Sequence, residues 1–135
     1  MTEENLHRAC VELLRLYEAR GLLVFTHPAN GGLRDAATAG RMKAMGQCAG
    51  VPDLLVWTAE RHFQIELKTQ RGRISPAQTA WSNCMLRFGI RVHICRSLDD
   101  LQEILLAEDM LLIGTMSSCS GRPARGVAAF NDRSR

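Results

Sequence analysis

Gly50-Val51-Pro52-Asp53-Leu54-Leu55-Val56-Trp57, followed after a short polar turn by Phe63-Gln64-Ile65-Glu66-Leu67-Lys68, is the stretch that decides how this chain folds. Both runs are short and rich in β-branched and large apolar residues, and the turn around Ala59-Glu60-Arg61 is polar. The pattern predicts a β-hairpin with strands over 54–57 and 63–68. Strand side chains alternate between faces, so Phe63, Ile65 and Leu67 share one face and Gln64, Glu66 and Lys68 the other. The apolar set is expected to face the core and the polar set to gather at one sheet surface. Asp53 opens the first strand, where a suitable register brings it opposite Glu66.

Two carboxylates and one ammonium converging in this way are what metal-assisted phosphodiester cleavage needs. Paired carboxylates can hold a hard divalent cation while leaving positions for water and a phosphate oxygen. A lysine beside them can position that water and stabilise the crowded phosphorus centre. An exposed, salt-bridged strand face would also read as E-x-K, so the spacing alone leaves both readings open. The lysine itself is unusual, because only Lys43 and Lys68 stand against fifteen arginines.

Outward from the hairpin, Leu6, Cys10, Leu13, Leu14 and Tyr17 recur at helical spacing and predict a helix over about residues 3–20. Thr2 is a start signal and Gly21 a stop. Residues 22–26 read as a buried strand, and Pro28-Ala29-Asn30-Gly31-Gly32 as a loop. A helix is expected over about 35–45, with Asp35 as its cap and Gly46 as its end. Ser75-Pro76 opens another, running to about Phe88 and closed by Gly89. Residues 91–95 form a strand, and a last helix runs from Leu98 to about Glu108. The order α-β-α-β-β-α-β-α predicts an α/β fold with a mixed β-sheet flanked by helices. Residues 1–110 are expected to form one domain, and the Arg-rich 111–135 a flexible extension.

Composition agrees with a single globular domain of 135 residues, with 46% hydrophobic and 23% charged residues. Five cysteines without C-x-x-C spacing argue against a zinc knuckle or a disulfide framework. The acidic N-terminus is not a signal peptide and no apolar run is long enough to span a bilayer, so an intracellular, cytoplasmic protein is expected. Net charge is +3, yet charge is segregated. No acid lies between Leu67 and Leu98, where six basic residues fall, and none between Ala36 and Pro52, where Arg41 and Lys43 fall. Such segregation can form a phosphate-binding surface.

Several motifs now stand in order. Gly50-Val51-Pro52-Asp53-Leu54 with Ile65-Glu66-Leu67-Lys68 resembles the PD-(D/E)xK nuclease signature. Pro28-Ala29-Asn30-Gly31-Gly32 followed by Arg34 resembles the P-N-G-G-x-R loop of the VRR-NUC family, with an inserted alanine. Arg41-Met42-Lys43-Ala44-Met45-Gly46 resembles that family's helix ahead of the first catalytic strand. Gly72-Arg73-Ile74-Ser75-Pro76-Ala77-Gln78, with Trp81, resembles its G-x-x-S-x-x-Q-x-x-W element. These motifs extend over roughly residues 3–105.

The resemblance implies a restriction-endonuclease-like core that cuts DNA with Mg2+ or Mn2+. Asp53 and Glu66 match its metal-binding acids, Lys68 its catalytic lysine, and Gln78 the glutamine facing the site. The family also places an acid on its first helix. Glu3 matches best, with Glu4 and Glu12 as alternatives. Asn30, Arg34, Lys43, Arg71 and Arg73 are the expected DNA contacts. Standalone members resemble dimeric junction-resolving enzymes, which implies a homodimer acting on branched DNA, with no organic cofactor and no membrane partner. A non-catalytic nucleic-acid-binding module and a nuclease for RNA or single strands remain the alternatives. His7, His27, His62 and His93 lack ligand spacing and are expected as surface or packing residues, and Trp81 as a core position.

Overall fold

A computed structural model describes residues 1–28 and 35–109. The elements follow the expected order: α1 (Glu3–Ala19), β1 (Val24–Thr26), α2 (Ala36–Ala44), β2 (Leu54–Trp57), β3 (His62–Leu67), α3 (Pro76–Arg87), β4 (Arg91–Cys95) and α4 (Leu98–Ala107). Strand β1 is shorter than the apolar run 22–26, and β3 is displaced by one residue, so Lys68 lies just beyond its end. The expected extension 111–135, with Cys119, lies outside the described residues.

Local chemistry explains the boundaries. Thr2, Asp35, Ser75 and Ser97 each accept a hydrogen bond from a backbone N–H of the first helical turn, filling donors a helix start leaves unpaired. Gly46 and Gly89 follow α2 and α3 with φ of 96° and 73°, a conformation open chiefly to glycine.

The sheet runs β1-β2-β3-β4, antiparallel at the first two junctions and parallel at the third. Its faces differ. Leu54, Val56, Phe63, Ile65 and Leu67 pack with Leu6, Cys10 and Leu14 of α1 and with Leu101 and Leu105 of α4 into the apolar core. Burial of side chains of this size contributes about 1.5–3 kcal/mol each, which fixes the register of β3. Helix α3 lies on the opposite face. There the polar set of β3 is not a sheet surface: Gln64 and Glu66 are 3% and 4% exposed. Gln64 is satisfied under α3, accepting from Trp81 Nε1 at 2.8 Å and pairing with His62 Nε2 at 3.0 Å. Trp81 is therefore a half-buried anchor of α3.

Helix α2 makes no contact with another element among the described residues and has no buried side chain. No described helix is long and apolar enough to cross a membrane.

Candidate active site

The β2–β3 register pairs Leu54 with Ile65, and one further step sets Asp53 opposite Glu66. Asp53 Oδ2 accepts the Leu67 backbone N–H at 2.9 Å, which ties its carboxylate to the end of β3. Lys68 Nζ lies 3.0 Å from Glu66 Oε1, and both side chains are largely buried. The Lys68 N–H donates to Cys95 O at 3.0 Å, so the lysine's backbone stays in register with β4 beyond the last strand residue.

Gln78 joins the cluster from α3. Its Oε1 accepts the Ser75 N–H at 2.9 Å, closing a capping box, while its Nε2 donates to Glu66 Oε1 at 2.6 Å. One amide thus fixes the start of α3 and braces a buried carboxylate. Gly50, with φ of 81°, brings the loop ahead of Asp53 against α3 so closely that a Cβ there would lie 2.2 Å from the Ala77 carbonyl oxygen. Loop and helix are locked together where their polar groups converge.

Burial is the largest influence on Glu66 and raises its pKa, with Asp53 adding repulsion; the Lys68 ammonium pulls in the opposite direction without cancelling it. A carboxyl that resists ionisation when bare is one whose charge an added cation would relieve.

These groups line a cleft of about 570 Å³ at one end of the sheet. Glu3 reaches it from α1, whereas Glu4 is ion-paired with Arg8 at 2.6 Å and neither Glu4 nor Glu12 lines the cleft. Arg71 and Arg73 are exposed on the turn after β3, and Lys43 is exposed on α2. Arg96 is not free for a phosphate. Its Nη1 donates to the carbonyls of Thr69 and Gly72 at 2.6 and 2.9 Å, pinning the turn that carries Arg71 and Arg73. Asn30 and Arg34 lie outside the described residues.

Two histidines in the same cleft were not legible as partners. His7 projects from α1 and His27 follows β1, and their rings meet edge to face with centroids 4.5 Å apart. His27 Nδ1 donates to the Asp53 carbonyl oxygen at 2.5 Å. The available signal was topological: pairing Thr26 with Leu55 sets residue 27 beside the start of β2. Burial first, and the neighbouring His27 second, lower the His7 pKa against the pull of Asp53 and Glu3. His62 and His93 serve packing, His62 stacked on Trp57 and His93 bonded to Glu108 at 2.9 Å.

Sheet order and flanking helices define an α/β domain built on a mixed four-stranded sheet. Residues 15–99 match the VRR-NUC domain family, and the chain belongs to that family. A solved VRR_NUC domain protein has the same fold, with a TM-score of 0.59 at 18% identity over 78% of this chain and 86% of that one. A Fanconi-associated nuclease 1 homolog from Arabidopsis thaliana is 36% identical over 55 residues. That match takes in 36% of this chain and 6% of the plant protein, so the chain corresponds to a small part of its length.

Proposed function

We propose that this VRR-NUC domain is a divalent-metal-dependent DNA endonuclease, with Asp53 and Glu66 as ion ligands and Lys68 as the group that serves the attacking water. The observation that carries the reading is the opposition of Asp53 and Glu66 at the end of β2 and β3, with Lys68 Nζ 3.0 Å from Glu66 Oε1. The donor set fits a hard cation. Both ligands are carboxylates: Asp53 accepts through Oδ2 and Glu66 through Oε1, and each retains further acceptor capacity. Glu3 offers another carboxylate from α1.

Mg2+ or Mn2+ held there would neutralise charge on the scissile phosphate and acidify water. The chain supplies the remainder. Lys68 can orient the water and stabilise charge growing on the phosphate oxygens. Gln78 holds the Glu66 carboxylate in one orientation. Arg71 and Arg73 can contact flanking phosphates from the turn that Arg96 pins, and exposed Lys43 can do so from α2. Asn30 and Arg34 are proposed to join them. The nuclease domain is assigned to residues 1–110. The finer reading, a homodimer acting on branched DNA, follows the family resemblance.

The test is cleavage of labelled four-way junction, flap, duplex and single-stranded DNA, and of RNA, with Mg2+ or Mn2+. Asp53→Ala and Lys68→Ala are run alongside. Each is expected to lose at least about 10²-fold in rate, with the fold retained by circular dichroism. Cutting that survives both substitutions would overturn the site. Binding without cutting under any metal would favour a non-catalytic module.

A further inference from the structure

The cleft holds donors that a carboxylate site for a hard ion does not need. One ligand atom each from His7, His27 and Asp53 lies within 4.8 Å of the other two. Metal–nitrogen and metal–oxygen bonds of about 2.0–2.2 Å in a tetrahedral site bring such atoms to about 3.3 Å. Closing that gap requires rotation of side chains on the cleft wall. His27 is already oriented: its Nδ1–H is committed to the Asp53 carbonyl, so in the neutral ring Nε2 carries the free lone pair. Metal-binding imidazoles are held in this way, with one nitrogen on a backbone carbonyl and the other on the ion. His7 comes from a different element and meets His27 edge to face, so the pair does not arise from local sequence.

We propose that His7, His27 and Asp53 form a second cation position beside the Asp53–Glu66 pair, taking a borderline transition ion such as Zn2+ or Co2+. Imidazole nitrogen selects these ions over Mg2+, which takes oxygen donors. Asp53 is shared between the two positions, so the inference rests on the reading above only for any consequence the ion has on cleavage. Binding at the histidines stands by itself. Both histidines lie outside the central β2–β3 hairpin, and His7 also precedes the matched residues 15–99.

Imidazole nitrogen NMR of the full chain during a Zn2+ titration tests this directly. The chain has four histidines, so His62 and His93 serve as internal references. The His7 and His27 resonances are expected to shift together, saturating near one equivalent, with His62 and His93 unmoved. A Co2+ titration followed by visible absorption should give bands in the wild type that weaken at least about tenfold in apparent affinity in His7→Gln and in His27→Gln. Absence of a selective shift at His7 and His27, or Co2+ affinity in both variants equal to that of the wild type, would overturn the second position. The outcome separates from the cleavage reading. Selective shifts in a protein that cuts nothing would sink the nuclease proposal and leave the histidine site. Mg2+-dependent cutting lost in Asp53→Ala, with no imidazole response, would do the reverse.

Discussion

Glu66 concentrates the chemistry of single residues in this domain. It is 4% exposed, yet keeps its place because Gln78 and Lys68 both donate to Oε1. Removing one brace without removing the carboxylate tests the positioning role of Gln78. Gln78→Ala is expected to weaken divalent-ion affinity by about 10- to 100-fold, measured by calorimetry, whereas Gln78→Glu would add repulsion. At the other end of the sheet, Glu108 shows the opposite pKa logic. Burial is the largest single influence and pushes its pKa up, but hydrogen bonds from His93 and Arg61 together hold it below the ordinary 4.5. A depressed carboxyl contributes stability that is complete above its ordinary range and fades as pH falls through the lowered value. Glu108→Gln should therefore cost about 1–3 kcal/mol at pH 7, and urea melts should show that gap shrinking as pH falls below the ordinary carboxylate range. Asp53, Glu66 and Lys68 were readable in the sequence because strand alternation and one hairpin register bring them together. His7 and His27 were not, because their meeting depends on how α1 docks and how β1 pairs, and neither is encoded by local spacing.

At the scale of elements, helix caps and turn glycines made the boundaries legible, and the short turn between β2 and β3 made their pairing so. Less visible was the cover over the second face of β3. An alternation of apolar and polar residues normally marks a half-exposed strand, yet Gln64 and Glu66 lie under α3 because Trp81 and Gln78 answer their polar atoms. The junction that positions this cover is Gly50. Ala there meets the Ala77 carbonyl at 2.2 Å on a φ of 81°, so Gly50→Ala is expected to lose about 2–4 kcal/mol. Gly40→Ala is the matching control. It sits inside α2 with open space around it and should stabilise by up to about 1 kcal/mol. Thermal melts of the two variants against the wild type check both signs.

Across the whole molecule, charge is more informative than its sum. The acid-free stretch 36–52 contains α2, which stands clear of the other elements and carries Arg41 and Lys43 on exposed positions. Such a helix has little to do in the core and much to offer a polyanion. Replacing both basic residues by Ala should lower DNA affinity and flatten the slope of log K against log salt by about 2, while leaving thermal stability within about 0.5 kcal/mol. The cleft, by contrast, is assembled from α1, α3, the end of β3 and the segments that follow β1 and precede β2, and the strand bearing Glu66 also leans on β4. That dispersal sets a clock on the ribosome. Synthesis adds about 5–20 residues per second, and the cleft's donors cannot be locked in place until the chain through β4 and α4 has emerged. A half-made polypeptide holds its acids and histidines apart, so the cleft, and the ion sites proposed for it, take shape only once translation has passed α4.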